Sequence, residues 1–494
     1  MTLSLFRVDA HDSVATALHD LDAGTVATVG DVEVTLTQPI GRGHKIAVHP
    51  LHAGDPVLKF GFPIGVATAA IAPGDHVHIH NLATALATSG DYVWRPHVHE
   101  AEATVPVTGF AGYRRADGRV GTRNEIWIIP TVGCVGRTAQ KIAEIAGRRH
   151  AGRVDGVLAL AHPFGCSQLG DDLDGTRSIL AALAAHPNAG GVLLVGLGCE
   201  SNQLDRLLAE IDPTLHDRIR SVAAQVAGDE IEEGLALVDD LVEEAAKVER
   251  TQVPLSDLVL GVKCGGSDGF SGLTANPLVG RMSDAVTRAG GTAILTEIPE
   301  IFGAEQLLMD RAVDEQVFDG IGALVNDFKR YFTEHGEPVS ENPSPGNIAG
   351  GITTLEEKSL GAVQKAGHAT VTDVRHYGER VRRTGLTLLE APGNDAVSST
   401  ALTAAGATII LFTTGRGTPL GFPAPTIKIA SNTPLAERKP NWIDFDAGQV
   451  LDRGMDQAAG ALLDTIRAIA SGKETASERN GEREIAIWKR GVTL

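Results

Sequence analysis

Hydrophobic positions follow two different patterns along the chain, and the change falls near residue 95. Up to that point, short segments of alternating apolar and polar residues are separated by glycine and proline. Strands this short and this closely spaced are typical of a small all-β module. Beyond about residue 122, apolar runs of strand length alternate with alanine-rich stretches of helical period. That alternation is typical of an α/β fold with a mostly parallel sheet.

These patterns predict an all-β module at residues 1–95, a linker at 96–122, a first α/β segment at 123–254 and a second at 255–494. Helices are expected at 137–149, 176–185 and 231–248, among other places. The pattern leaves open whether the strands form one sheet or two. About seven strands are predicted, in the runs EIWIIPTVGC, GVLALAHPFGC, GVLLVGLGCE, LVLGVKCGG, TAILTEIPE, LTLLEAPGND and ATIILFTTGRG.

All four cysteines follow a predicted strand, and each is next to a glycine: Cys134, Cys166, Cys199 and Cys264. Ligands bind at the carboxyl ends of parallel strands, which meet at one edge of a sheet. The pattern therefore predicts that the four thiols converge. Thiolates favour iron, as a mononuclear site or an iron–sulfur centre, over magnesium or calcium. The alternative is that they are inert thiols buried in tight turns.

Acidic, basic and amide side chains follow the same strands. Carboxylates and imidazole at such an edge suit iron or manganese, and they also suit general acid or base catalysis. An amide there is placed to bind a substrate hydroxyl or carboxylate. The residues concerned are His162, Glu200, Lys263, Asp268, Asn276, Glu297, Glu300, Asn394 and Asp395.

A helix N-terminus is predicted as one anion site. Thr353 and Thr354 stand three residues before Glu356 and Glu357, which is the capping-box spacing, so a helix is expected to begin there. Its first amides, with Lys358 on the first turn, would bind a carboxylate or phosphate.

A second anion site is predicted at Arg416, which lies between two glycines in TTGRGTPLG after the last predicted strand. A guanidinium on such free backbone can bind a carboxylate through two hydrogen bonds. Neither segment is a nucleotide-binding fingerprint.

Histidines alternate with apolar residues in the segment HVHIHN. The period of two places His76, His78 and His80 on one face of a strand. Neighbouring imidazoles are then close enough for two of them to share a metal ion. Alternatively, they form a polar strand face with hydrogen-bonded rings. His44, in GRGHKIAV, is either a substrate contact or a surface residue.

Composition and charge narrow the class of function. The 494 residues carry a formal net charge of −19 and no long run of lysine and arginine, so a nucleic-acid-binding surface is not expected. The sequence has no signal-peptide pattern and no apolar run of membrane-spanning length. We therefore expect a cytoplasmic protein without membrane partners, in which the cysteines are reduced.

Several segments together resemble the altronate/galactarate dehydratase family, and the likeness runs nearly from end to end. It implies an SAF or β-clip domain at 1–95, a Rossmann-like domain at 255–494 and a homodimer, for which 123–254 is a possible dimerisation domain. The segments that carry the resemblance are PTVGC, GCSQLGDD, HPNAGGVLLVGLGCE, KCGGSDGFSGLTANP, TEIPEIFGAEQLLM, NPSPGNIAGGITTLEEKSLG, APGNDAVS, FTTGRGTP and NWIDFDAG.

The resemblance also implies a hydro-lyase. The expected reaction converts D-altronate to 2-dehydro-3-deoxy-D-gluconate and water in hexuronate catabolism, because WIDFDAG and the final GVTL look most similar to the altronate-specific members. The alternative is a galactarate dehydratase or a related sugar-acid or sulfolactate lyase. The many acid and base groups at the strand ends disfavour a non-catalytic sugar-acid sensor.

The family implies dependence on Fe²⁺, with Mn²⁺ or an iron–sulfur centre as alternatives. As a working hypothesis, the four cysteines, Glu200 and Asp268 bind the metal. His162 or Lys263 then acts as the base, with Glu297 as a further catalytic group. The residues assigned to substrate binding are Asn276, Thr353, Thr354, Lys358, Arg416, His78 and His80.

Overall fold

The computed structural model describes residues 4–94 and 108–494. Residues 1–3 and 95 of the predicted module, and 96–107 of the predicted linker, lie outside the described residues. Among the helices of the described part, none combines the length with the apolar composition that a membrane-spanning helix needs.

The N-terminal module is a set of small antiparallel sheets, as the short alternating segments predict. The sheets have the strand orders β1-β2-β5-β8, β3-β4 and β6-β7-β9, in which the strands are β1 Leu5–Phe6, β2 Val14–Ala17, β3 Val26–Val29, β4 Val32–Thr35, β5 Lys45–Ala47, β6 Pro56–Lys59, β7 Phe62–Ala67, β8 His76–Val77 and β9 Leu82–Ala83. Leu5, Val34 and Ile46 lie in the core of the module.

The middle of the chain forms a four-stranded parallel sheet and a three-stranded antiparallel one. Its strands are β10 Phe110–Arg114, β11 Val120–Gly121, β12 Glu125–Pro130, β13 Gly156–Ala159, β14 Ala189–Gly196, β15 Ile219–Ala223 and β16 Thr251–Val253. Its α-helices are α1 Gly136–Arg149, α2 Gly170–Ala184, α3 Leu204–Ala209 and α4 Glu230–Ala245. The parallel sheet has the order β13-β12-β14-β15, and the antiparallel one has the order β11-β10-β16. β10 and β11 fall inside the predicted linker, so that part of it is folded.

The last part of the chain is built on a seven-stranded parallel sheet. Its strands are β17 Val259–Cys264, β18 Thr292–Leu295, β19 Val371–Arg375, β20 Gly385–Leu389, β21 Ile409–Thr414, β22 Thr426–Ala430 and β23 Phe445–Asp446. The strand order is β19-β20-β18-β17-β21-β22-β23.

Helices cover both faces of this sheet, as its apolar strands require. They are α5 Ala275–Arg288, α6 Gln306–Met309, α7 Glu315–Glu334, α8 Pro345–Ala349, α9 Leu355–Ala362, α10 Asp395–Ala404, α11 Thr433–Arg438, α12 Val450–Arg453, α13 Met455–Ala470 and α14 Ala476–Arg479. Leu260 and Val262 of β17 pack in the core formed with α5 and α13. Ile410 and Phe412 of β21 pack against α10 on the opposite face.

The predicted α/β class is confirmed, with the strands divided between two sheets. All seven predicted strands are present, as β12, β13, β14, β17, β18, β20 and β21. The expected helices correspond to α1, α2 and α4. The sequence patterns missed β10, β11, β15, β16, β19, β22 and β23.

A buried ion-pair network fixes the N-terminal module to the C-terminal domain. Glu357, in α9, contacts Lys45 Nζ through Oε2 at 2.9 Å and Lys59 Nζ through Oε1 at 2.8 Å. The Glu357 side chain is 2% exposed, and those of the two lysines are 0% and 3% exposed. Burial alone would raise the pKa of Glu357, but Lys45 and Lys59 outweigh it and the pKa is lowered. The carboxylate is therefore charged, and the module is held in a fixed orientation over α9.

The last residues of the chain run back across both sheets. Trp488 stacks on Phe328 of α7, with ring centroids 5.2 Å apart. Thr493 then pairs with Gln168 of the four-stranded domain, and the Leu494 N–H donates to the Ser167 carbonyl at 3.0 Å. This tail joins the two α/β domains.

Candidate active site

The carboxyl ends of β17, β18 and β20 open into a cleft of about 590 Å³. β18 follows β17 in the chain and lies on one side of it in the sheet. β21 lies on the other side of β17, and the strand that follows β21, β22, lies farther out on that side. Ligands of open α/β sheets bind at such a switch point. Polar groups line the floor of the cleft, and an apolar wall is formed by Phe328, Tyr331, Phe332 and Trp488.

Lys263, near the end of β17, bridges two carboxylates below the cleft. Its Nζ lies 2.7 Å from Asp395 Oδ1 and 3.1 Å from Glu297 Oε1. Burial alone would lower the pKa of Lys263, but Glu297 and Asp395 outweigh it and the pKa is raised. Lys263 is therefore an ammonium at neutral pH. It is therefore unsuited to the role of base that the sequence suggested.

Asp395 is the carboxylate that faces the cleft. Asn394 caps α10 by accepting the backbone N–H groups of Ala396 and Val397, both at 3.1 Å, which fixes Asp395 at the first position of the helix. The side chain is 35% exposed, and Lys263 contacts only its Oδ1. Oδ2 can therefore reach a bound molecule.

Glu297 adopts the left-handed backbone conformation, with φ 68° and ψ 56°. A non-glycine residue there stores about 1–3 kcal/mol of strain, and such strain is common at functional sites. Its Oε2 accepts from the Cys264 N–H at 2.9 Å and from Lys365 Nζ at 3.0 Å. Burial raises the pKa of Glu297, but Lys263 and Lys365 outweigh it and the pKa is lowered. Glu297 is a buried anion beneath the cleft.

Cys264 ends β17 and is buried at the cleft floor. Its Sγ lies 2.8 Å from Lys365 Nζ and 3.4 Å from Glu300 Oε2, to which the S–H donates. Burial raises the pKa of the Cys264 thiol to about 12, although Lys365 acts in the opposite direction. The group is therefore a protonated thiol at neutral pH.

Lys358, on the first turn of α9, brings a positive charge to the cleft. Its Nζ donates to Glu300 Oε1 at 2.8 Å, to Asn342 Oδ1 at 2.9 Å and to Asn347 Oδ1 at 3.3 Å. Burial alone would lower the pKa of Lys358, but Glu300 outweighs it and the pKa is raised. Of the residues assigned to substrate binding from the sequence, Lys358 is the one that lines this cleft.

Two predicted site residues are engaged within the fold. Asn276 accepts from Thr413 Oγ1 at 2.6 Å and donates to the Gly361 carbonyl at 3.0 Å. Asp268 Oδ1 accepts from the Ser431 hydroxyl at 2.8 Å and also from backbone N–H groups of its own loop. Burial raises the pKa of Asp268. Asn276 and Asp268 brace the loop after β17, and neither is directed at a ligand.

The predicted helix start is confirmed, but it is covered. Thr354 caps α9, and its Oγ1 donates to the Ile64 carbonyl of the module at 2.5 Å. The Thr353 N–H donates to Glu357 at 2.9 Å. The anion site predicted at Thr353 and Thr354 is therefore wrong, because the module and Glu357 occupy this helix end.

Arg416 lies beside the cleft, outside its lining. It is exposed and donates to the Gly346 carbonyl at 3.0 Å. This bond holds α8, whose Asn347 contacts Lys358. The structure thus brings Arg416 near the site without directing it at the cavity.

The prediction that four thiols converge is wrong. Cys134, Cys166 and Cys199 are exposed on loops of the four-stranded sheet, whereas Cys264 is buried in the other sheet. Among the described residues, no group of three ligand atoms within 4.8 Å of one another includes two cysteines. The local pattern of strand, glycine and cysteine is the same in both sheets, so it could not reveal the division.

His162 and Glu200 belong to the four-stranded domain and brace its loops. His162 Nε2 lies 2.8 Å from the Pro130 carbonyl, and Nδ1 accepts the Phe164 N–H at 3.2 Å. Glu200 accepts from Thr131 Oγ1 and the Gly198 N–H, both at 2.6 Å. Burial raises the pKa of Glu200, but these bonds outweigh it and the pKa is lowered. With both ring nitrogens engaged, His162 is not placed to act as the base.

The cleft contains one set of atoms with metal-ligand spacing, from Cys264, Glu297 and Glu300. A lysine contacts each of them: Lys365 binds Cys264 and Glu297, and Lys358 binds Glu300. These ammonium groups already neutralise the carboxylates. The set therefore does not fit a divalent cation.

The predicted histidine face is present, away from the cleft. The rings of His76 and His78 are stacked, with centroids 5.0 Å apart, and His44 joins them. His78 Nε2 contacts the Ile348 carbonyl at 3.1 Å, while His80 is exposed. Neither His78 nor His80, both assigned to substrate binding from the sequence, lines the cleft.

Sequence reasoning missed several contributors to the cleft and to the residues beneath it. Lys365, which contacts Cys264 beneath the cleft, follows α9 in a segment without a motif. Asn342 lies in a run that was interpreted only as a turn. Trp488 belongs to the C-terminal tail. The proline- and asparagine-rich run 342–347 was the one signal that could have pointed to Asn342 and Asn347. Lys365 and Trp488 reach the site only through tertiary contacts.

Burial and the raised pKa of Cys264 predict a thiol that resists alkylation. At pH 8 the native chain should remain unmodified at Cys264 after iodoacetamide treatment, because almost none of this thiol is thiolate. Peptide mass spectrometry measures the modification, with the exposed Cys134 as the internal reference that is labelled in the native state. In denaturant both should be labelled. Labelling of native Cys264 at the rate of Cys134 would contradict the structure.

Three family models match successive parts of the chain. Residues 3–85 match the altronate/galactarate dehydratase SAF domain. Residues 112–246 match the second domain of D-galactarate dehydratase/altronate hydrolase. Residues 255–493 match the C-terminal domain of D-galactarate/altronate dehydratase.

Full-length relatives agree with these matches. The chain is 50% identical to the altronate dehydratase of Escherichia coli (strain K12), over 100% of both chains. It is 48% identical to the altronate dehydratase of Bacillus subtilis (strain 168), over 99% of this chain and 100% of that protein. It is 34% identical to the galactarate dehydratase (L-threo-forming) of Escherichia coli (strain K12), over 99% and 97%. The chain therefore belongs to the D-galactarate/altronate dehydratase family.

Proposed function

We propose that this chain is a hydro-lyase that converts D-altronate to 2-dehydro-3-deoxy-D-gluconate and water, a step of hexuronate catabolism that we place in the cytoplasm. The identity of 50% and 48% to two altronate dehydratases supports this substrate. Galactarate dehydratase, at 34%, is a more distant relative. The observation that carries the chemistry is the cleft, in which a cation, Lys358, and a carboxylate, Asp395, face the same space.

Loss of water from an aldonate needs three groups. A base removes the proton at C2, a cation holds the carboxylate as it gains negative charge, and an acid protonates the hydroxyl that leaves C3. The electron pair of the C2–H bond forms the C2–C3 double bond as the C3–O bond breaks. The resulting enol then takes a proton at C3 and becomes the 2-keto acid. The reaction needs no oxidant or reductant.

Asp395 is the group we assign as base. Its Oδ2 is open to the cleft, while Lys263 Nζ donates to Oδ1 at 2.7 Å and orients the carboxylate. A carboxylate oriented in this way can accept the C2 proton through Oδ2. Lys263 remains bound to Oδ1.

Lys358 is the cation we assign to the substrate carboxylate. Glu300, Asn342 and Asn347 fix the position of its ammonium, so little rearrangement is needed as charge develops on the substrate. The proton for the leaving hydroxyl can come from Lys358 or from the Cys264 thiol, since both are protonated at neutral pH.

Dependence on Fe²⁺ is also part of the proposal. A bound ferrous ion would supply a Lewis acid that polarises the substrate carboxylate. Because Cys264, Glu297 and Glu300 are neutralised by lysines, no step is assigned to an ion at those residues.

A panel of sugar acids tests the substrate. The purified chain should form 2-keto-3-deoxy acid from D-altronate with kcat/KM at least about tenfold above that for galactarate. Differences in the contacts to one end of a substrate commonly change kcat/KM by this factor. Product is measured by a colorimetric assay for 2-keto-3-deoxy acids after anaerobic incubation with Fe²⁺. Higher kcat/KM for galactarate would reverse the assignment, and no turnover of any sugar acid would revive the sensor interpretation.

Replacing Lys358 tests the cation. Lys358→Met should lower kcat/KM for D-altronate by about 10²–10³-fold, the range for loss of one preorganised electrostatic group. Lys358→Arg, which keeps the charge, should retain more activity than Lys358→Met. Lys247→Met, at an exposed lysine of the four-stranded domain, is the control and should leave the activity unchanged. Circular dichroism checks folding, and wild-type activity in folded Lys358→Met would refute the role.

We propose that the chain forms a homodimer and that the interface lies on the four-stranded domain. Leu169, Val492 and Leu494 are 49%, 77% and 80% exposed, and the pairing of Thr493 with Gln168 brings them to one surface. Sedimentation equilibrium should give twice the mass of one chain. Val492→Lys with Leu494→Lys should weaken the dimer, whereas Val26→Lys, at an exposed position of the module, should not. A monomer mass for the unaltered chain would refute the proposal.

A further inference from the structure

Three imidazoles of the N-terminal module form a nearly regular triangle. The ring centroids of His44 and His76, His44 and His78, and His76 and His78 are 5.1, 5.2 and 5.0 Å apart. β5 and β8 pair with Ile46 opposite His76 and Lys45 opposite Val77. This register brings His44 next to His78, and the period of two puts His76 and His78 on one face.

The ring nitrogens have the spacing of metal ligands. One nitrogen from each ring lies within 4.8 Å of the other two, and His44 Nδ1 is 3.0 Å from His76 Nε2. Two nitrogens bound to one zinc ion at about 2.0–2.1 Å are about 2.8–3.4 Å apart for bond angles between a right angle and a tetrahedral one. Little movement is therefore needed for an ion to bind.

Backbone carbonyls orient the rings from outside. His78 Nε2 contacts the Ile348 carbonyl at 3.1 Å, and His44 bonds to the Ala349 backbone. Histidines that bind metals commonly donate their second ring N–H to a carbonyl in this way, which fixes the tautomer and directs the lone pair to the ion. The carbonyls belong to the last turn of α8, in the C-terminal domain, so both domains build the triangle.

The environment favours neutral, accessible rings. Burial lowers the pKa of His44, His76 and His78, that of His76 to about 3, and neutral imidazole is the form that binds metal. The charged groups facing the rings are Lys45, whose ammonium is paired with Glu357, and Asp20, which acts on His44. All three rings are half-buried, so an ion can enter from solvent.

We propose that His44, His76 and His78 bind one divalent first-row transition-metal ion at the seam between the module and the C-terminal domain. Imidazole nitrogen suits Zn²⁺, Fe²⁺ and Co²⁺, whereas Mg²⁺ and Ca²⁺ prefer oxygen. The ion anchors the rings that hold the last carbonyls of α8. Since Asn347 of α8 contacts Lys358, the bound ion also stabilises the position of the cation in the cleft. The site stands on its geometry and does not depend on the proposed reaction.

Cobalt binding to the untagged, chelator-treated full chain tests the site. Titration with Co²⁺, followed by its visible absorption, should show one ion per chain, displaced by one equivalent of Zn²⁺. His76→Ala and His78→Ala should each weaken binding by at least about 100-fold, since loss of even a supporting partner costs 10–100-fold. His80→Ala is the matched control, because His80 is exposed in the same segment and lies outside the triangle. It should bind cobalt as the unaltered chain does.

A second measurement separates this site from the cleft and from misfolding. X-ray absorption of the cobalt-loaded chain should show nitrogen ligands without sulfur, and Cys264→Ser should bind cobalt normally. The thermal unfolding of His76→Ala should match that of the metal-free unaltered chain, which excludes a folding defect. The proposal is overturned if the unaltered chain binds no stoichiometric ion. It is equally overturned if folded His76→Ala binds as tightly, or if binding is lost in Cys264→Ser. Each of these results is independent of activity on any sugar acid.

Discussion

Balance of buried charge is the constraint on which the cleft depends. Lys263, Lys358 and Lys365 face Glu297, Glu300 and Asp395 across its floor. Removing one partner of a buried pair leaves an unpaired charge at a cost of about 3–5 kcal/mol, so each group constrains the others. This balance explains why Lys263 is a fixed ammonium and why Glu297 stays ionised when buried, and it means that the carboxylates near Cys264 are already paired with lysines. Within this network, Asp395 and Lys358 line the cleft.

The same principle joins the N-terminal module to the catalytic domain. Glu357 is matched by two lysines of the module, and the backbones meet so closely that a Cβ atom at Gly269 would lie 2.0 Å from the Gly43 carbonyl oxygen. Charge pairing sets the orientation, and glycine allows the close approach. The histidine triangle lies on this seam, beside α8. The module is therefore part of the architecture around the cleft, although none of its described residues lines the cleft.

The sequence predicted the parts of the fold that depend on local periodicity. Apolar runs located β12 and β17, and the spacing of Thr354 and Glu357 located the start of α9. What it could not predict were contacts made over long separations. Cys134 and Cys264 follow the same local pattern but belong to different sheets. Asn276 and Asp268 have ligand-like chemistry that the fold uses for its own bonds. Lys365 and Trp488 come to the cleft from segments with no motif, and their role appears only when the sheet order is known.

Three consecutive residues of α9 contact two different parts of the protein, the N-terminal module and the cleft. Glu356 accepts the Ala85 N–H of the module at 2.7 Å, Glu357 pairs with Lys45 and Lys59, and Lys358 faces the cleft. Successive positions on a helix point in directions about 100° apart. One turn of α9 therefore contacts both the module and the C-terminal domain. An insertion or deletion in this turn would rotate all three side chains away from their partners at once. A foreign module joined to this domain must therefore supply the partners of Glu356 and Glu357.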